Sequence, residues 1–139
     1  MTTWRQFNLF KGPRQHGDLP PSPKEFNIHV AIVKALKVSI SKQWIYFHVP
    51  NGEKRDPVTA ARLKAMGTMP GMPDLMFIGP GPAVFCLELK RDNNRMSEAQ
   101  VAMHAHLMAC GCEYLCTNSY DEALATLKSL GIVRATVSA

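Results

Sequence analysis

An α/β fold with a mixed β-sheet flanked by helices is what this sequence predicts, and three observations predict it. Segments with helical apolar spacing alternate with short runs of strand formers. Capping signals stand at the heads of the helical segments. Two strand runs are separated only by Gly79-Pro80-Gly81-Pro82, which must be a turn. The 139 residues suffice for one domain with a real core. Hydrophobic residues at 46% and charged residues at 19% are ordinary for a globular chain, which excludes disorder throughout, collagen and coiled coil. No apolar run approaches the ~20 residues of a membrane span.

The elements follow in order. Residues 1–24 hold Arg5, Lys11, Arg14 and Lys24 against Asp18 alone, broken by Gly12, Pro13, Gly17, Pro20, Pro21 and Pro23. We read 1–21 as an irregular basic arm and 22–139 as a single domain. The arm is either a loose terminus or a source of extra phosphate contacts. Ser22-Pro23-Lys24-Glu25 starts a helix, with a cap residue, proline in the first turn and an acid three after the cap. Ile28, Ile32, Val33, Leu36 and Ile40 continue it at helical spacing. Trp44 to Val49 is rich in β-formers, and Pro50-Asn51-Gly52 ends that strand. Asp56-Pro57 opens a short helix that Gly67 closes. Pro73 to Ile78 and Ala83 to Lys90 are two strands about the Gly-Pro turn. Ser97-Glu98-Ala99-Gln100 is a capping box for a helix to about Cys110. Glu113 to Thr117 is a last strand, and Tyr120 to Leu130 a last helix stopped by Gly131. The order is α-β-α-β-β-α-β-α.

The hairpin carries the chemistry. Glu88 and Lys90 are two apart on one strand, so their side chains leave the same face, while Leu87 and Leu89 turn toward a core. A hairpin centred on Gly81 sets Asp74 opposite Glu88, with Cβ atoms roughly 4.5–5.5 Å apart. A slip of one residue would separate them. Two carboxylates so close repel unless a positive charge intervenes. Their hard oxygens suit Mg²⁺ or Mn²⁺, which accept substrate phosphate oxygens and activate water. A lysine beside them steadies charge on a phosphate or holds the attacking water. Taken alone, Glu-x-Lys on a strand is commonly just a solvated face. Glu25 and His29 share one stripe of the first helix with Ile32 and Leu36, and this stripe must face the sheet. Glu25 therefore has two readings, as a capping partner of Ser22 or as a third carboxylate. Gln100 likewise is the capping partner of Ser97 or a polar hand near the carboxylates.

These residues resemble a known family. Glu25 at a helix head, His48-Val49-Pro50-Asn51-Gly52, Gly71-Met72-Pro73-Asp74-Leu75, Glu88-Leu89-Lys90 and Ser97-Glu98-Ala99-Gln100 look, in this order, like the VRR-NUC domain of the PD-(D/E)xK nuclease superfamily. The resemblance runs from about Glu25 to about Gly131. It implies a restriction-endonuclease-like fold and a Mg²⁺- or Mn²⁺-dependent DNA endonuclease acting on structured or branched DNA in replication, repair or recombination. It implies Asp74, Glu88 and the Leu89 carbonyl as metal ligands, and Lys90 as the catalytic lysine. Glu25 becomes the helix carboxylate near the metal and Gln100 the glutamine of the motif. His29 departs from the pattern, where relatives often carry glutamine. The resemblance further implies a phage or bacterial setting and a homodimer. The alternative is a DNA-binding accessory protein that keeps the fold and no longer cuts.

Other clusters point elsewhere. His104, His106, Cys110 and Cys112 invite zinc, but residues two apart on a helix diverge. Buried cysteine and partly exposed histidine explain them better. Met66, Met69, Met72 and Met76 read as core filler and surface loop. Lys54, Arg55, Arg62 and Lys64, with Arg91 and Arg95, ring the acidic centre with positive charge. The chain carries 16 Lys+Arg against 11 Asp+Glu, a net +5 that suits an acidic partner such as DNA. No set of side chains is placed for base readout, so recognition by DNA shape is expected. Met1 to Phe10 holds no secretory signal, and the four cysteines read as reduced thiols of a cytoplasmic protein.

Overall fold

A computed structural model describes residues 23–50, 56–90 and 95–135. The basic arm expected at 1–21, Ser22, and the cations Lys54, Arg55 and Arg91 lie outside the described residues. Eight elements follow in the predicted order: α1 (Pro23–Ser39), β1 (Ile45–His48), α2 (Pro57–Ala65), β2 (Leu75–Ile78), β3 (Val84–Leu89), α3 (Glu98–Ala109), β4 (Glu113–Thr117) and α4 (Tyr120–Ser129).

The strands lie side by side in chain order as one sheet. β1, β2 and β3 form an antiparallel meander, and β4 joins β3 in parallel after crossing through α3. A parallel neighbour needs such a crossover, and α3 supplies it. The β2–β3 ladder pairs Leu75 with Leu87 and Ile78 with Val84. That is the register expected of a turn about Gly81, which takes φ +86. At the turn end, Gly79 is required by the Trp44 ring, whose carbons would stand 2.4 Å from any Cβ there.

Side-chain alternation divides the core in two. Leu75, Phe77, Phe85, Leu87, Leu89 and Leu115 project to one face, where Ile32 and Leu36 of α1 and Ala123 and Leu127 of α4 cover them. Cys86 and Tyr114 project to the other face, under Leu107 of α3 and Met96. The central strand β3 is therefore buried on both sides, and its residues from Phe85 to Leu89 are all buried. A polar residue on that strand must find its partners inside the protein.

The β1 edge is different. Ile45 is 61% exposed and Phe47 42%. α2, which fills the excursion between β1 and β2, has no buried residue. Asp56 caps it by accepting the Thr59 N–H at 2.9 Å, and Pro57 enters its first turn, as expected. Among the described residues no helix is long and apolar enough to cross a membrane.

Candidate active site

Asp74 immediately precedes β2, and Glu88 lies near the end of β3. The observed ladder, continued one step beyond Leu75 and Leu87, sets the two opposite each other on the face under α3. Asp74 is fixed from two sides. Its Oδ2 accepts the Leu89 N–H at 2.8 Å. Its backbone carbonyl accepts the Val49 N–H at 3.2 Å and a ring N–H of His48, through Nδ1, at 2.7 Å.

Glu88 is 2% exposed. Its Oε1 accepts Gln100 Nε2 at 3.0 Å, and Lys90 Nζ stands 3.7 Å from the same oxygen. Its Oε2 is buried with no hydrogen-bond partner. An orphaned carboxylate oxygen inside a protein is costly unless something positive meets it.

Lys90 is held chiefly by Gln100, whose Oε1 accepts its Nζ at 2.7 Å. The same Oε1 accepts the Ser97 N–H at 2.9 Å, while the Gln100 N–H reaches Ser97 Oγ at 3.2 Å. The sequence offered capping and a place near the carboxylates as alternatives for Gln100, and the side chain does both. It can do so because an amide carries two acceptor lone pairs and two donors. α3 is brought near by Gly71, which has φ +81 and no room for a side chain. A Cβ there would meet the Ala99 carbonyl oxygen at 2.2 Å and the Gln100 nitrogen at 2.8 Å.

Burial first, and then the neighbouring Asp74 charge, push Glu88 well above the ordinary carboxylate range, with Lys90 opposing them. Burial also raises Asp74, against the pull of the Leu89 N–H, His29 and Lys90. Two facing carboxylates raise each other's cost of ionisation, which a cation between them would relieve. The thiols behind them stay neutral. Burial and then Cys112 push Cys86 up to about 12, while burial and then Glu88 push Cys116 higher still.

These oxygens fit a divalent cation. The orphaned Glu88 oxygen and the adjacent Asp74 carboxylate are hard oxygen donors of the kind Mg²⁺ or Mn²⁺ takes, usually with water completing the shell. Among the described residues no three His, Cys, Asp or Glu side chains converge closely enough to hold a metal. Glu25 is half-buried on the first turn of α1, and its charge acts on Glu88.

The α1 stripe behaves as its spacing predicts. Ile32 and Leu36 are fully buried, and His29 lies near enough to Asp74 for their charges to interact. Burial lowers the His29 pKa, Asp74 raises it and His48 lowers it. The two histidine rings meet edge to face at 4.8 Å. His48 is the site neighbour that sequence reasoning missed as an individual residue. The only signal for it was its place at the end of a strand in the His-Val-Pro-Asn-Gly run.

Among the described residues the candidate cations Arg62, Lys64 and Arg95 are exposed. Arg62 and Lys64 lie in the last turn of α2, and Arg95 precedes the α3 cap. The excursion carrying α2 leaves the sheet at His48 and returns at Leu75, so it begins and ends beside the carboxylates.

The histidine–cysteine cluster needs correction. His104, expected to be partly exposed, is buried against Tyr114, with ring centroids 4.5 Å apart. Cys110, expected to be buried, is exposed at the α3 C-cap. His104 falls in register with Gln100 and Leu107 on the buried stripe of α3, and that phase decides the matter. Met66 and Met69 are exposed, and Met72 and Met76 are half-buried.

No protein-family model matches this chain, and no curated protein matches it significantly. A solved structure described as a VRR_NUC domain has the same fold, with a TM-score of 0.51 at 16% identity. The likeness covers 78% of this chain and 97% of that one.

Proposed function

We propose, for a chain with the fold of a VRR_NUC domain, that it is a Mg²⁺- or Mn²⁺-dependent DNA endonuclease. The single observation that carries this reading is the facing pair of half-buried Asp74 and buried Glu88, with an orphaned oxygen on Glu88 and the Lys90 ammonium beside it. Structural ion pairs on a solvated strand are not arranged in this way. They leave no carboxylate oxygen unpaired and buried.

Asp74, Glu88 and the Leu89 carbonyl would hold the cation, with Glu25 adding negative potential behind them. When bound, a divalent cation supplies Lewis-acid polarisation of the phosphodiester and a lowered pKa for bound water. Lys90, steered by Gln100, donates a hydrogen bond to the attacking water or to a phosphate oxygen and steadies the developing negative charge. Gln100 keeps the ammonium from collapsing fully onto Glu88, because its Oε1 competes for the same protons. The buried face under α3 excludes bulk water from behind the reacting group. Arg62, Lys64 and Arg95, together with Lys54, Arg55 and Arg91, supply positive charge for the DNA backbone. Recognition then rests on duplex shape, since backbone contacts position a protein without reading sequence. Replication, repair or recombination in a phage or bacterial cell, and action as a homodimer, are the setting this reading favours.

The test is cleavage of end-labelled duplex, flap, single-stranded and four-way-junction DNA with Mn²⁺ or Mg²⁺, with Lys90→Ala in parallel. Wild-type cutting that falls at least about a hundredfold in the variant supports the reading. Undiminished cutting by Lys90→Ala overturns it. Tight binding of one substrate without cutting would identify an accessory protein.

A further inference from the structure

We infer that His48 is a positioning residue of this site, setting the Asp74 carboxylate by holding its main chain. The inference rests on the nuclease reading for its purpose and on the hydrogen-bond geometry for its content. Asp74 stands one residue outside the paired register of β1 and β2, which ends at His48 and Leu75. A residue just beyond a ladder loses the alternation that fixes side-chain direction, unless other bonds replace it. Here they do. The Asp74 carbonyl takes a 2.7 Å bond from the His48 ring and a longer one of 3.2 Å from the Val49 N–H. With Oδ2 tied to the Leu89 N–H at 2.8 Å, the residue is held from β1 at its main chain and from β3 at its side chain. Its distance from Glu88 is thereby set.

A carbonyl only accepts, so the ring nitrogen bonded to it, Nδ1, carries the proton. His29 of α1 packs edge-on to the ring, with centroids 4.8 Å apart and planes at 79°, which limits its rotation. His48 is itself exposed. Its ring therefore buries little area, and its removal should cost little stability. A group that supports a metal ligand, by contrast, changes metal affinity or activity by roughly 10–100-fold when removed.

The amide of asparagine places an N–H where Nδ1 stands, while that of glutamine reaches toward Nε2. The experiment compares His48→Ala, His48→Asn and His48→Gln by Mn²⁺ calorimetry, by kcat and KM for DNA cleavage, and by thermal melting. The expected result is Mn²⁺ affinity and kcat about tenfold lower in the alanine and glutamine variants, with KM and melting temperature nearly unchanged. Asparagine should restore both quantities. An unaffected alanine variant, a failure of asparagine to restore, restoration by glutamine, or a change confined to KM each overturns the inference. Wild-type protein that binds Mn²⁺ but cuts no DNA would end the nuclease reading, and the calorimetry would still decide the role of His48. Wild-type protein that takes no Mn²⁺ would end both.

Discussion

The two ends of the β1–β2–β3 meander's chemistry are built in opposite ways. On the β2–β3–α3 side, Glu88 and Gln100 are 2% and 8% exposed, and Gln100 ties α3 to both Glu88 and Lys90. On the β1–α2 side, a nine-residue helix has no buried residue and carries its cations, Arg62 and Lys64, in the open. A helix this short is marginal by itself in water. The difference teaches that precision and reach are separated. Groups that must be placed to a fraction of an ångström are set in a ladder that cannot slip. Groups that, on the nuclease reading, would meet a long, uniform phosphate backbone sit where little fixes them.

If that division is right, substitutions on the buried side should alter both stability and chemistry, and those on the open side only affinity. The largest effect is expected at Gly71. Gly71→Ala forces a side chain into φ +81 and into the Ala99 carbonyl. It should cost about 3 kcal/mol or more by denaturant unfolding, with cleavage falling as Gln100 is displaced. Normal stability and activity would mean that the loop and α3 are not locked together.

Glu88→Gln should separate the two properties with opposite signs. Cleavage should be lost, while the metal-free protein gains about 1 kcal/mol or more, because a poorly satisfied buried charge is removed. The wild-type pKa is raised in the folded state above the ordinary 4.5. Just above that pH the unfolded chain is ionised while the folded one still binds the proton. Wild-type stability should therefore fall as pH rises through this window. Melting followed from pH 4 to 8 in a chelator should show that slope in the wild type and a weaker one in the variant. Added Mn²⁺ should raise the wild-type melting temperature and leave that of Glu88→Gln nearly unmoved. A variant no more stable than the wild type would show that Lys90 and Gln100 already compensate the charge.

The smallest effects belong to the open side. Arg62→Ala and Lys64→Ala should each weaken DNA binding a few-fold and lower the salt dependence by about one counterion. Melting curves should not move. A loss of folding in either would mean that α2 is more deeply engaged than its exposure indicates.

Much of the buried side was legible in the sequence, because period-two alternation and a glycine-centred turn leave one good register for Asp74 and Glu88. The α3 capping box was legible for the same local reason. The double service of Gln100 was not, since its capping role already accounted for the residue and the approach of β3 to α3 is a tertiary fact. Nor was the role of His48, whose bond to Asp74 spans 26 positions and leaves no local pattern. α2 was readable as a helix from Asp56 and Pro57, but local signals do not say whether a helix is packed. The misplacement of His104 and Cys110 came from reading residue types where the phase of the α3 stripe decides.

The shared oxygen of Gln100 also bears on the order in which the molecule is assembled. One atom closes the first turn of α3 and receives Lys90, just past β3, so the lysine contact is complete only with that helix in place. A chain still lacking that turn has a wandering ammonium and a glutamate with no amide upon it. The arrangement proposed to cut DNA is thus complete only once α3 is docked. Any transient opening of that helix disarms the protein before it unfolds.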